Sequence, residues 1–274
     1  GEISPLSCLV RPHVALITTV ELAHSKFFEN EEAIADAKAE IFDGLEENGT
    51  VILNRDNKYF HHLSETARKT GVKKIVSFGI FKEADFKLLE VEPDEAGRVI
   101  KANLSGKIHS YRLGLPGSHW VLNSLGVLAT ISASGGDVIA AANLFEEMQA
   151  PIGRGNHHVL QVKGGSVTLI DDSYNASPVS MKAAIEVLSE TKPSNAGRRI
   201  AVLGDMLELG KKSIKLHVGL VDVLEEKGID LVFTFGDKME FLAKSLPPSM
   251  RAGHAKAIKQ LEKMIIEAIQ PGDV

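Results

Sequence analysis

Apolar positions along this chain follow two spacings in turn, an unbroken or alternating run and then a three-to-four spacing. The run "HVALITTV" (13–20) is apolar and β-branched, as a buried strand requires. "NEEAIADAKAEIFDGL" (30–45) is Ala-rich with acidic residues in its first turn and predicts a helix. "TVILNRD" (50–56), "KYFHHLSETARKTG" (58–71) and "KKIVSFG" (73–79) continue as strand, helix and strand. This order implies right-handed crossovers and a parallel sheet. Residues 85–115 alternate and carry Gly and Asp turn signals, which predicts a small antiparallel patch. Two helices follow, "SHWVLNSLGVLATISAS" and "DVIAAANLFEEM".

"QAPIGRGNHH" then interrupts the pattern with Pro and Gly, and a domain boundary is placed near residue 151. The expected domains are 1–150 and 151–274. Beyond the boundary, "SVTLIDD", "RIAVLGDM" and "IDLVFTFG" read as strands. They alternate with helices at "SPVSMKAAIEVLSET", "SIKLHVGLVDVLEEKG", "KMEFLAKSL" and "AKAIKQLEKMIIEAIQ". The fold class expected is α/β, with a doubly wound second domain. In such sheets ligands bind at the carboxyl ends of strands. No solenoid-type repeat is visible.

The 274 residues suit two ordinary domains, and 44% hydrophobic with 24% charged residues is normal for a globular protein. A net charge of −5 argues against a general nucleic-acid binder, which carries a basic face. No apolar run is long enough to span a bilayer, and no signal pattern opens the chain. The single cysteine, Cys8, rules out an intrachain disulfide and suits a reducing compartment such as the cytoplasm. The chain opens without Met and closes on a turn signal, "EAIQPGDV", followed by what reads as the start of a strand. It is read as a fragment of a longer protein.

Candidate chemistry gathers at a few places. In "VTLIDDSYNASPVSM" (167–181), Ser177 suits a helix N-cap and Pro178 the first helical position. Asp171, Asp172, Ser173, Tyr174 and Asn175 exceed what a turn needs, although an Asx turn absorbs one or two of them. They are read as a ligand site. Lys38 borders a helix stripe of Ile34, Ala37, Ile41 and Leu45. Its ammonium either snorkels to water or is partly desolvated, which lowers its pKa and frees a reactive amine. His24, past the end of the first strand and near Glu21, is either structural or a metal ligand. Arg154, between Gly153 and Gly155, is either a solvated linker charge or a holder of phosphate. Neither "VLGDMLELGKKS" nor "SGKIH" fits the P-loop spacing.

The ordered set "GEISPL", "RPHVALITTV", "AKAEIFDGL", "VILNRD", "LPGSHWVLNSL", "GR", "DDSYNASPVSMKAAIEVL" and "LGDMLELG" resembles the Mur ligases along essentially the whole chain. The resemblance implies a partial central ATPase domain over 1–150, without its P-loop, and a Rossmann-like C-terminal domain over 151–274. It also implies ADP-forming amide ligation through an acyl phosphate, in the member that joins D-alanyl-D-alanine to UDP-N-acetylmuramoyl-tripeptide. ATP and Mg²⁺ are the implied cofactors, in a cytoplasmic monomer with no nucleic-acid partner. By the same resemblance, His24 matches a Mg-binding His and Lys38 a carbamylated lysine at the metal. Asn123 matches an adenine contact, Arg154 a phosphate contact and Asp172 a ribose contact, with Tyr174 and Asn175 candidates for the dipeptide. Trp120 stands where the family pattern has an Asn. Without its P-loop the fragment alone is expected to be inactive. A sibling ligase, a folylpolyglutamate-synthase-like ligase and a non-catalytic nucleotide-binding module are the alternative readings.

Overall fold

The computed structural model describes residues 2–21, 28–94, 97–115 and 117–274. They fall into two compact units, residues 2–21 with 28–149 and residues 150–274. Among the described residues, the first unit is built on one sheet of six strands in sequential order: β1 (Val14–Ile17), β2 (Thr50–Asn54), β3 (Lys74–Gly79), β4 (Phe86–Asp94), β5 (Gly97–Leu104) and β6 (Lys107–Leu113). β1 to β4 run parallel; β5 and β6 are antiparallel. The antiparallel strands expected from alternation are therefore an extension of the main sheet. The join is short, at Phe78↔Phe86 and Gly79↔Lys87.

Side-chain alternation along these strands divides the core. Ile17, Val51 and Leu53 pack with α2 (Glu31–Ala39) and α3 (Phe60–Lys69) through Ile34, Ala35, Leu63 and Ala67. The opposite face carries α4 (Ser118–Ala133), whose Gly126 lies so close that an added Cβ would stand 3.2 Å from the Phe78 ring and 3.4 Å from Leu16. Phe78, Ile52, Leu125 and Leu128 are fully buried. Each contributes on the order of 2 kcal/mol by burial. A further helix, α5 (Val138–Asn143), is capped by Asp137.

Three details depart from the sequence pattern. Ile3–Val10 forms a helix, α1, not anticipated from sequence. Its first N–H groups, of Ile3 and Ser4, donate to the Glu40 carboxylate, and Ser7 Oγ donates to Ile41 O at 2.6 Å. The helix expected over 30–45 starts on its Asn30 cap but ends at Ala39, followed by a 3-10 turn at Glu40–Phe42. Just beyond it Gly44 lies against the backbone of Ser7, where a Cβ would come within 2.1 Å. The first strand stops at Ile17 rather than residue 20. Asn54 and Asn57 hold the following segment through the carbonyls of Thr18 and Val20.

In the second unit, β9 (Ile200–Gly204), β10 (Leu231–Phe235) and β11 (Arg251–Ala255) form a parallel sheet in the order β11-β10-β9. α6 (Pro178–Glu190), α8 (Leu220–Glu226) and α9 (Met239–Ser245) bury one face through Ile185, Leu224 and Met239. α10 (Ile258–Ala268) buries the other through Leu261 against Phe233 and Ala255. Helices thus cover both faces, as a doubly wound arrangement requires.

"SVTLIDD" is not part of that parallel sheet. It forms β8 (Gly165–Asp171), paired antiparallel with β7 (Asn156–Val162), a strand not expected from sequence that begins inside the stretch read as a break. The two-residue turn Lys163–Gly164, with Gly164 at φ +92°, closes the hairpin. Residues 272–274 stitch the hairpin to β9: Gly272 N donates to Ser166 O, Thr168 N to Asp273 O and Ile200 N to Val274 O. The helix expected over 213–228 is two pieces, α7 (Ser213–Val218) and α8, parted at Gly219. β11, "RAGHA", has little β propensity and was not expected as a strand. Gly253 lets the tip of Met264 from α10 sit where a Cβ would be.

Candidate functional site

In the first unit, α2 carries Lys38 near its end and α4 carries Asn123 in its second turn, on opposite faces of the sheet. Lys38 is half-buried, and burial pushes its amine below the ordinary lysine range. It has no hydrogen-bond or ion-pair partner among the described residues. Asp36, two residues earlier on α2, is engaged elsewhere, by His62 Nε2 at 2.6 Å. Trp120, half-buried in the first turn of α4, lies one turn before Asn123 on the same helix face, and its ring stands 5.3 Å from that of His119. His24 lies outside the described residues. Among the described residues no group of three His, Cys, Asp or Glu side chains gathers as a metal site.

In the second unit, the loop before β7 meets the end of β8. Gly153 and Gly155 both have left-handed backbones, at φ +72° and +86°, where side chains are strained. These two turns swing Arg154 outward while the backbone stays clamped. Gly153 O accepts from Tyr174 N at 3.0 Å, and Gly155 N donates to Asp171 O at 2.8 Å. The Arg154 guanidinium lies over the Tyr174 ring, 4.3 Å from its centroid. The structure therefore brings together two residues that stand twenty positions apart in sequence.

The crowded run after β8 sorts itself by chemistry. Asp171 Oδ1 accepts from both Ser173 N and Ser173 Oγ, the latter at 2.6 Å, which makes an Asx turn. Ser177 caps α6, its side chain accepting from Ser180 N while Ser180 Oγ accepts from Ser177 N, and Pro178 opens the helix. Asp172, Tyr174 and Asn175 remain exposed, with the Asn175 Oδ1 turned back onto Ala176 N at 2.8 Å. Exposed donors, a carboxylate and an aromatic face beside an Arg can hold a polar, anionic ligand.

Two further polar residues of the second unit are fixed by hydrogen bonds. Asn156 Nδ2 donates to Ala150 O, and its buried Oδ1 has no partner among the described residues. Asp205, at the end of β9, accepts from Lys238 N and Met239 N, holding the start of α9. Gly236 is needed beside it, since a Cβ there would lie 2.5 Å from the Asp205 carboxyl carbon.

Comparison with known proteins follows the same division. The family description "Mur ligase middle domain" matches residues 1–131, and "Mur ligase, glutamate ligase domain" matches residues 157–274. A UDP-N-acetylmuramoyl-tripeptide--D-alanyl-D-alanine ligase from Rickettsia prowazekii is 30% identical over 95% of this chain and 57% of its own length. The crystal structure of MurF from Acinetobacter baumannii superposes with a TM-score of 0.82 at 26% identity, over 99% of this chain and 57% of that one. MurF ligase from Thermotoga maritima in complex with ADP gives 0.81 at 26% identity, over 100% and 60%. The chain thus spans a little over half the length of these relatives. Matched by both domain descriptions and by these ligases along nearly all of its length, the chain belongs to the Mur ligase family.

Proposed function

We propose that this chain is the middle and C-terminal part of an ATP-dependent, ADP-forming ligase that joins D-alanyl-D-alanine to UDP-N-acetylmuramoyl-tripeptide. The observation that carries this reading is the 30% identity, across 95% of the chain, to a ligase bearing that reaction in its name. A carboxylate is a poor electrophile, so ATP first converts it to an acyl phosphate. The dipeptide amine then attacks, and the tetrahedral intermediate expels phosphate. Such a ligase works in the cytoplasm, where its nucleotide substrates are, and we take it to act as a monomer.

Each candidate residue has a part in this chemistry. Arg154 presents paired donors to the ATP phosphates and balances their charge as the two anions meet. Asp172 holds the ribose, Asn123 reads the adenine through its amide, and Tyr174 with Asn175 receives the dipeptide. Lys38 fits a carbamylated metal ligand, because carbamylation requires a neutral amine and this amine is desolvated and unpartnered among the described residues. The carbamate of Lys38, with His24, would hold Mg²⁺. When bound, Mg²⁺ supplies charge neutralisation between the phosphates and the carboxylate.

The test is coupled ADP release by the full-length ligase, with UDP-N-acetylmuramoyl-tripeptide present and D-alanyl-D-alanine as acceptor. Turnover that depends on the dipeptide is expected. ADP release indifferent to D-alanyl-D-alanine, or stimulated only by a single amino acid, overturns the assignment.

A further inference from the structure

Tyr174 presents a large aromatic ring that is 67% exposed, at a position where burial does not explain it. Among the described residues the ring face is met by the Arg154 guanidinium, 4.3 Å from its centroid. Arg154 itself is exposed, set between two left-handed glycines, with no carboxylate partner among the described residues. An arginine in that setting would sample many rotamers, and holding one of them costs entropy. A cation over a ring face is attracted by the ring quadrupole. The guanidinium donors lie in its own plane, so stacking occupies the face and leaves the edge free for an oxyanion. The ring is anchored in turn, because Tyr174 N donates to Gly153 O, one residue before Arg154.

We infer that Tyr174 is a positioning residue for Arg154: its ring face pre-orders the guanidinium for the ATP phosphates, and its hydroxyl is not needed for that task. This rests on the phosphate role of Arg154 proposed above. It assigns the two parts of one side chain separately. One face serves the nucleotide through Arg154, which leaves the hydroxyl and the opposite face for the dipeptide. Tyr174 reaches no reacting atom in this role.

The experiment compares Tyr174→Phe and Tyr174→Leu, alone and with Arg154→Ala, in the full-length ligase. Loss of a cation–π contact at an exposed site corresponds to roughly 2- to 5-fold. Tyr174→Leu is expected to raise KM for ATP by at least that factor. Tyr174→Phe should keep KM for ATP near wild type, whatever it does to KM for the dipeptide. In the Arg154→Ala background, Tyr174→Leu should add nothing to KM for ATP. An equal rise in both backgrounds, or the same ATP defect in Phe and Leu variants, overturns the inference.

A second measurement does not depend on ligase activity. In the isotope-labelled chain, the Arg154 side-chain resonances should carry a ring-current shift that survives in Tyr174→Phe and disappears in Tyr174→Leu. Identical Arg154 shifts in all three proteins overturn the stack itself. Absence of any D-alanyl-D-alanine-dependent turnover, with the ring-current shift intact, would instead count against the ligase reading alone.

Discussion

His217 is the most exacting polar residue in the second unit, and replacing it with Leu gives a sharp test of how the "GDMLELG" turn is held. The ring is completely buried, at 0% exposure. Its two nitrogens have opposite duties. Nε2 accepts from Met206 N at 2.9 Å, and Nδ1 donates to Ser213 O at 2.7 Å. This geometry selects the neutral tautomer with the proton on Nδ1. The ring therefore ties the end of β9 to the start of α7, across a loop whose Glu208 takes a left-handed backbone at φ +60°. Leu has nearly the volume of His, so the cavity contribution is small. What Leu cannot replace is the acceptor for the Met206 N–H, and a buried donor left unpaired costs about 1–3 kcal/mol. Taking about 2 kcal/mol, the melting temperature should fall by roughly 4–8 °C. Calorimetry of the chain measures this. Amide exchange at Met206 localises it, with protection expected in the wild type and lost in His217→Leu. A change of about 1 °C or less, with Met206 still protected, would refute the tie. Gln, whose amide oxygen can accept from Met206, should recover part of the loss.

Three other predictions concern charged side chains. Burial lowers the Lys38 pKa below its unfolded value, so the folded chain binds fewer protons than the unfolded chain between the two. Stability should therefore rise with pH as it approaches the ordinary lysine range, where the unfolded chain gives up its extra proton. Urea melts of Lys38→Met should lose that slope and show a gain at pH 7; an unchanged slope would separate Lys38 from the effect. In the full-length ligase Lys38→Ala should lose activity and regain some with short carboxylic acids, which stand in for the carbamate. At Asp205, whose carboxylate accepts the N–H groups of Lys238 and Met239, substitution by Ala should cost about 1–2 kcal/mol, read by urea denaturation. The unfolding slope m should be unchanged.

Local patterns in the sequence determined a good deal here. Buried strands such as Val51–Leu53 and helices with a polar face and a cap, such as Ser177–Pro178 opening α6, are written in neighbouring residues. The run of polar residues after Asp171 also announced itself, because a turn needs only one or two of them, and the structure shows which pair the turn uses. Family membership was legible from motifs distributed along the chain.

The tertiary structure decided what depends on partners distant in sequence. "RAGHA" becomes a strand because β10 lies beside it and Met264 fills the space over Gly253. No periodicity in five such residues could say so. "NHHVLQV" becomes a strand because the Lys163–Gly164 turn folds it onto β8, so β8 leaves the parallel sheet to which its apolar character alone would assign it. α1 forms where Glu40, far along the chain, supplies the acceptor for its first N–H groups. The pairing of Arg154 with Tyr174 is of the same kind. Each residue is visible in sequence as a candidate, but only the hairpin that brings Gly153 and Gly155 against the end of β8 stacks the guanidinium on the ring. Backbone preference acts over a few residues and can be read from them. Packing and hydrogen bonding act between whatever residues the fold brings together, and only the folded chain shows which those are.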